Sequence, residues 1–277
     1  RFQIDFSAYK EMNVRRRIQR RQDLRGIATI EDYLEILSRD AEALDELYQD
    51  LLIGVTEFYR DPEAIAVLRR QILDPMAAPG EDAPLRIWVP ACATGEEAYT
   101  IAIELSEALS LAGSARRFRI IATDVHRASL ERASAGVFSQ QALAGLDPTL
   151  RARYFEKRHD SYHVEPTLRQ KVIFSSHDIL SDPPFMTLDL ISCRNLFIYF
   201  EEAAQKRVLS MFLFALKPEG ALFLGPSESV GRFTEEFEVL DSRWRLFRKS
   251  SDSRFLDRAS LTETFRTPRP PAPVVRE

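Results

Sequence analysis

The segment LRIWVPACATGEEAY, Leu85–Tyr99, opens on the apolar run Ile87-Trp88-Val89 and stops at a turn of small residues, Ala91-Cys92-Ala93-Thr94-Gly95. Two acids follow, Glu96 and Glu97, and then the apolar series Tyr99-Thr100-Ile101-Ala102-Ile103. The pattern predicts a buried strand, a tight loop and a helix. Small residues let the backbone approach a ligand closely. Wound α/β sheets bind ligands at the carboxyl ends of their strands, which is where this loop falls. A phosphate cradle uses glycines, a lysine and free N–H groups. Glu96 and Glu97 would repel a phosphate and suit a ligand with hydroxyls or a cationic amine.

Phe118–Asp124, FRIIATD, reads as a second apolar strand ending in an acid. An acid in that position accepts both hydroxyls of a ribose. Together the two loops describe a nucleoside site without a pyrophosphate grip. S-adenosylmethionine fits, having a ribose, an adenine, a positive amino group and no phosphate. Asp is also a favoured N-cap, so Asp124 can cap a helix starting near Arg127; the two readings are compatible.

Working outward, residues from Phe6 to Leu73 read as wholly helical. A very basic first helix ends near Gly26, Thr29 caps a second, a third spans Ala41 to Ile53, and Asp61-Pro62 places an acid cap before a helix-starting proline. Met76–Pro84, MAAPGEDAP, is a linker by its proline, glycine and acids. Beyond it strands and helices alternate, which predicts a mostly parallel sheet covered by helices. Strands fall near 86–90, 119–123, 172–175, 188–192 and 221–224, and the apolar runs Phe237–Leu240 and Trp244–Lys249 form an antiparallel hairpin on the sheet edge. The charged stretch 143–171 interrupts the alternation as an insertion with a helix and a small strand pair. The expected division is a helical region over 1–75, a linker over 76–84, an α/β domain over 85–249 and a disordered Pro-rich tail over 250–277.

A net charge of -4 gives no global attraction to nucleic acid, and none is expected as a partner. Cys92 and Cys193 read as small buried filler in a reduced, cytoplasmic protein. No apolar run is long enough to span a membrane, and no secretory signal is present, so no direct membrane insertion is expected. His126, His159, His163 and His177 lack metal-ligand spacing, and no metal site is expected. The chain opens at Arg1 and not at a methionine, as a fragment of a longer protein would.

Taken in order, RRRIQRR (Arg15–Arg21), LLIGVTEFYRD (Leu51–Asp61), ACATGEEAY, IIATDV, HDIL, LDLISCRNLFIYF (Leu188–Phe200) and GALFLGPSES (Gly220–Ser229) resemble the chemotaxis receptor methyltransferases, the CheR family. CRN followed by IYF is the most specific signal. VTEFYRD and PFMTLDLISCRN are similar to CheR modules in larger multidomain sensory proteins. The resemblance implies a Rossmann-like S-adenosylmethionine-dependent methyltransferase domain with a small β-subdomain insertion, preceded by an all-α domain. It implies methylation of glutamate side chains on a chemoreceptor-like, acidic helical partner, with S-adenosylhomocysteine as product, in a protein fused to or associated with other signalling domains. Carried over by motif, Thr56 and Arg60 contact the cofactor from the helical side. Ala91 and Glu97 line the first loop, with Glu97 meeting the methionyl amine. Asp124 holds the ribose, Val125 lies beside the adenine, and Asp178 and Ile179 flank it. Arg194 and Asn195 close the site near the methyl group, and Tyr199 faces the reacting centre, so Tyr199, Arg60 and Arg194 are the catalytic candidates. Many family members have asparagine at the positions of Gly54 and Asp178, which costs one polar contact at the first and a donor at the second.

Plainer readings stand beside these. Arg60 can be an ion-pair partner of Asp61 or Glu63, Arg194 and Asn195 ordinary turn residues, and Tyr199 core. A carboxylate nucleophile has an ordinary pKa of about 4.3 and needs no base, which agrees with the lack of an acid–base pair. Arg15, Arg16, Arg17, Arg20, Arg21 and Arg25 form the expected docking helix, charge-complementary to the partner and separate from the cofactor site; a merely solvated face is the alternative. A module that binds cofactor or product without catalysis is the second functional reading. A NAD-dependent dehydrogenase is the third, opposed by the missing G-x-G-x-x-G fingerprint.

Overall fold

The computed structural model describes residues 4–52, 54–80 and 82–250. The expected Pro-rich tail therefore lies, beyond Ser250, outside the described residues. Three helices come first: α1 (Glu11–Arg25), α2 (Ile30–Arg39) and α3 (Ala41–Leu51). α1 stops where Gly26 turns to φ 67°. Thr29 Oγ1 accepts the Asp32 N–H, and Asp40 Oδ1 accepts those of Glu42 and Ala43, so both later helices start on side-chain caps. Their apolar faces close over Tyr33, Ala43 and Leu47.

The third helix ends at Leu51, close to the expected Ile53. Residues 54–61 run as a non-helical connector, with Tyr59 and Asp61 at φ 54° and 57°, a left-handed backbone that an α-helix cannot contain. α4 (Pro62–Leu68) begins at the proline, but Asp61 makes no side-chain cap there. Its carboxylate is taken by Arg194. A π-helical stretch, Arg69–Leu73, and α5 (Asp74–Ala77) continue the run. This run, grouped by sequence with the helical region, packs on α6 (Glu96–Leu111) of the sheet domain: Arg69 Nη1 meets Glu104 at 2.8 Å, and the Tyr59 hydroxyl donates to the same carboxylate at 2.8 Å.

The remaining elements are β1 (Leu85–Pro90), β2 (Phe118–Asp124), α7 (Arg127–Ala135), β3 (Val137–Ser139), α8 (Pro148–Tyr154), β4 (Phe155–Arg158), β5 (Ser161–Val164), α9 (Pro166–Arg169), β6 (Val172–Ser176), β7 (Leu188–Cys193), α10 (Glu202–Ala215), β8 (Leu216–Leu224), β9 (Phe237–Asp241) and β10 (Leu246–Lys249). Seven strands form one sheet in the order β6-β2-β1-β7-β8-β10-β9. The first five are parallel, and β10 runs antiparallel to both its neighbours. The strand order reverses between β1 and β7, which opens a crevice at their carboxyl ends.

Alternation along β1 builds both cores. Ile87 and Val89 join α6 on one face, and Trp88 joins α10 on the other. The buried Trp88 indole donates to Thr123 Oγ1 at 2.9 Å, which ties β1 to β2 just below the crevice. The insertion holds three strands, β3-β5-β4, and not a pair. It starts at Val137, ahead of the expected 143, because Gly136 at φ 64° ends α7 and sends the chain straight into β3.

Gly95 is the tightest hinge of the first loop. It sits at φ 95°, and a Cβ there would lie 3.0 Å from Ala133 Cβ and 3.2 Å from the Phe174 ring. Gly95→Ala therefore combines backbone strain with overpacking. It should destabilise the fold by about 1–3 kcal/mol, read as a lowered urea midpoint with an unchanged m-value.

Candidate active site

A cleft of about 380 Å³ opens at the carboxyl ends of β1, β2, β6 and β7, within the range of about 300–1,000 Å³ usual for ligand pockets. Thr56, Arg60, Ala91, Glu97, Asp124, Val125, Asp178, Ile179, Arg194, Asn195 and Tyr199 all line it. The sequence reading thus brings eleven residues from five separate stretches into one cavity.

The first two loops are held together by one carboxylate. Asp124 Oδ2 accepts the Ala93 N–H at 2.8 Å, and Oδ1 accepts the His126 N–H at 2.9 Å. These bonds fix the loop in which Ala91 and Ala93 take φ 53° and 46°. Each oxygen keeps a lone pair, so structural support and a ribose contact are compatible. Burial pushes the Asp124 carboxyl up, against the pull of the His126 and Ala93 N–H groups. Asp178 caps its own loop: its carboxylate accepts from the Leu180 N–H and the Ser181 hydroxyl, and its N–H donates to Asp182.

Arg194 differs from the expectation. Its side chain is 1% exposed, and its guanidinium is committed to the connector. Nη2 meets Asp61 Oδ2 at 2.5 Å, Nη1 donates to the Arg60 carbonyl at 3.1 Å, and the group lies 4.8 Å from the Phe223 ring centre. It stabilises the wall of the cleft, with Nε left without a hydrogen-bond partner. Glu97 lies beneath it, accepting the Ser192 hydroxyl at 2.6 Å and standing 3.8 Å from Arg194 Nη1. Burial raises the Glu97 carboxyl, with Arg194 and Ser192 opposing. Arg60 faces the cleft without a carboxylate partner among the described residues. Asp61 goes to Arg194 and Glu63 to Arg243 at 2.9 Å, so the ion-pair reading of Arg60 fails.

The six arginines of α1 divide. Arg21 and Arg25 tie α1 to α3: Arg21 Nε lies 2.5 Å from Asp50, and Arg25 Nη2 lies 2.8 Å from Glu46. Arg15, Arg16 and Arg20 lie on the open face. Arg17 lines the cleft, so the expectation that this helix stands apart from the cofactor site is corrected.

Sequence reasoning missed three residues. Tyr9 lines the cleft beside Phe200. Arg17 was placed on the wrong face. Glu228, 3% exposed, accepts from the N–H groups of Asn195 at 2.9 Å, Phe197 at 2.7 Å and Gly225 at 2.6 Å. It thereby shapes the turn that carries Asn195, at φ 61°, and Tyr199. The only signal was an acid inside the apolar-flanked GPSES segment, two of whose partners, Asn195 and Phe197, lie some thirty residues away. Tyr199 is half-buried, and its carbonyl accepts the Lys10 N–H at 2.8 Å.

The cleft suits a nucleoside joined to an amino acid. Arg17 Nε, His177 Nδ1 and Asn195 Oδ1 are buried in its wall without a hydrogen-bond partner, so polar groups of both kinds await a ligand. Asp124 can accept ribose hydroxyls, Glu97 and Asn195 Oδ1 can accept from an ammonium, and Arg17 and Arg60 can meet a carboxylate.

Two family models match the chain. CheR methyltransferase, all-alpha domain, covers residues 1–52, and CheR methyltransferase, SAM binding domain, covers residues 54–246. An uncharacterized 104.1 kDa protein in the hypE 3' region of Rhodobacter capsulatus is 40% identical over 98% of this chain, which spans only 28% of that protein. The chemotaxis protein methyltransferase of Listeria innocua is 32% identical, covering 82% of this chain and 85% of its own length. Chemotaxis protein methyltransferase 2 of Vibrio cholerae is 32% identical, covering 90% and 86%.

Two variants test the buried carboxylates. Asp124→Ala removes a ligand acceptor together with the acceptor of the Ala93 and His126 N–H groups. In calorimetry on folded protein it should weaken S-adenosylhomocysteine by at least the loss of one charge-assisted hydrogen bond of about 1.5–3 kcal/mol, which is about 10- to 150-fold. Glu228→Ala leaves three buried N–H groups unpaired, at about 1–3 kcal/mol each. It should lower the melting temperature far more than a surface acid replacement such as Glu42→Ala.

Proposed function

The chain belongs to the CheR methyltransferase family, and on that premise we propose that it esterifies glutamate carboxylates of a chemoreceptor-like, acidic helical partner with the methyl group of S-adenosylmethionine. The observation that carries the reading is the charge of the cleft. Arg17 on α1 and Arg60 on the connector bring two guanidinium groups to its wall, and among the described residues neither pairs with a carboxylate, whereas the lining acids Glu97, Asp124 and Asp178 are each held by hydroxyl or N–H groups. Such a wall attracts a carboxylate nucleophile and repels a lysine ammonium.

The bound cofactor supplies a methyl group on a sulfonium, activated for in-line displacement. The chain's own residues position the reactants. Asp124 and Val125 fix the nucleoside end, while Glu97 and Asn195 receive the amino-acid end. Arg17 and Arg60 steer the glutamate in, and Tyr199 orients it by hydrogen bonding. Positioning has to bring the reacting atoms to about 3–3.5 Å. No residue has to remove a proton, because the nucleophile is ionised already. Of the two histidines lining the cleft, His126 Nδ1 is engaged by Ser129 Oγ at 2.6 Å and His177 Nε2 by the Pro183 carbonyl at 3.0 Å, which leaves His177 Nδ1 as an acceptor for the ligand. A strong charge fixed beside the methyl would favour the charged ground state over the neutralising transition state. The burial of Arg194 in its pairing with Asp61 is consistent with that requirement.

The open face of α1, with Arg15, Arg16 and Arg20, is the docking surface in this reading, within the helical region 1–75 that supplies substrate docking. With radiolabelled cofactor and a receptor cytoplasmic domain, the label should be released as volatile methanol in mild alkali, as methyl esters require. Label that survives alkali would mean amine methylation. Arg16→Glu should lower receptor methylation at low salt and leave cofactor affinity unchanged. Arg17→Glu should lower both.

A further inference from the structure

The first described residues form a clasp on the active site. Phe6–Ala8 make a single 3-10 turn, started by the Asp5 carboxylate on the Ser7 N–H at 2.9 Å. Tyr9 then pairs with Phe200 in an antiparallel bridge. The Lys10 N–H donates to the Tyr199 carbonyl at 2.8 Å, and the Glu201 N–H donates to the Ala8 carbonyl at 2.9 Å. The Tyr9 ring meets Phe200 edge-on, with centroids 5.0 Å apart, and packs at 5.2 Å from Phe6. Phe6 in turn lies 6.5 Å from Tyr48, whose hydroxyl donates to the Val125 carbonyl at 3.4 Å. The clasp thus grips the cleft at two points, the end of the Tyr199 turn and the residue after Asp124.

Within this frame the Tyr9 side chain lines the same cleft as Asp124 and Asp178, and its hydroxyl has no hydrogen-bond partner among the described residues. We propose that Tyr9 is a binding residue for the nucleoside end of the cofactor, delivered by the Phe6–Lys10 clasp. The chemistry is complementary to that of the loops. Asp124 and Asp178 only accept, whereas the ring nitrogens of an adenine and the free lone pairs of a ribose hydroxyl need a donor. Burial, with Asp178 and Asp124 nearby, holds the Tyr9 phenol well above its usual range, so it keeps its proton. The inference rests on the S-adenosylmethionine assignment of the cleft and adds a contact from the part of the chain that precedes the SAM-binding domain.

Tyr9→Phe tests it, because the ring contacts and the backbone bridge survive while the hydroxyl is lost. The melting temperature of the ligand-free variant should match wild type, while its affinity for S-adenosylhomocysteine falls by about 2- to 12-fold, one neutral hydrogen bond. Tyr9→Ala, which also loses the ring, should bind more weakly than Tyr9→Phe. Binding to Tyr9→Phe as tight as to wild type overturns the proposal while leaving the cofactor assignment intact. A wild-type protein that takes up no S-adenosylhomocysteine overturns both.

Discussion

A guanidinium with 1% of its side chain exposed is what the rest of this active site leans on. Removing Arg194 from water costs several kcal/mol, and only close pairing makes this tenable. The pairing partners are Asp61 and the Arg60 carbonyl, both on the connector between the first three helices and the sheet. The connector is therefore fixed where it crosses the carboxyl end of β7, and with it Thr56 and Arg60. The same guanidinium covers Glu97 at 3.8 Å. One buried cation thus sets the distance between a wall built by the first third of the chain and a wall built by the sheet.

Carboxylates do similar work on the sheet side, with backbone N–H groups as their partners. Asp124 holds the first loop against the second, and Glu228 holds the turn after β7 against the turn after β8. Both turns contain non-glycine residues at positive φ, Ala91, Ala93 and Asn195. Such backbone costs free energy and persists where its surroundings over-determine it. The gain is a set of atoms already in place for a ligand. Gly225 shows how tight the arrangement is, since a Cβ there would lie 2.7 Å from Glu228 Oε2 and 2.9 Å from the Asn195 nitrogen.

Much of this was legible in the chain, for identifiable reasons. Apolar runs ending in small residues or acids located β1, β2 and the cleft, because strand periodicity and turn chemistry are local. The Thr29 cap and the Gly26 stop were legible for the same reason. What escaped depended on partners remote in sequence. Asp61 reads as a helix cap until Arg194, far along the chain, is seen to claim it. Glu228 looks like a surface acid until the Asn195 turn folds over it. The assignment of Arg17 to the docking face failed because six arginines crowd one helix, and charge alone does not say which of them turns inward. The break between Ile53 and Pro62 was legible, but not the left-handed backbone at Tyr59 and Asp61 that shapes the connector. The third strand of the insertion was hidden because Val137–Ser139 is too short to announce itself.

The bridge between Tyr9 and Phe200 also bears on the order in which the molecule can be finished. Its two halves are separated by about three-quarters of the described chain. The entropy of closing so long a loop grows only slowly with length, yet contacts this remote in sequence delay folding. On a ribosome α1–α3 emerge before the sheet and can form from local contacts, while Tyr9 and Arg17 have no cleft to face. The stretch that completes it, from the end of β7 through Phe200, follows β1, β2 and β6. Cofactor capture, which favours only the assembled state, is then a chemical signal that two segments far apart in sequence have met.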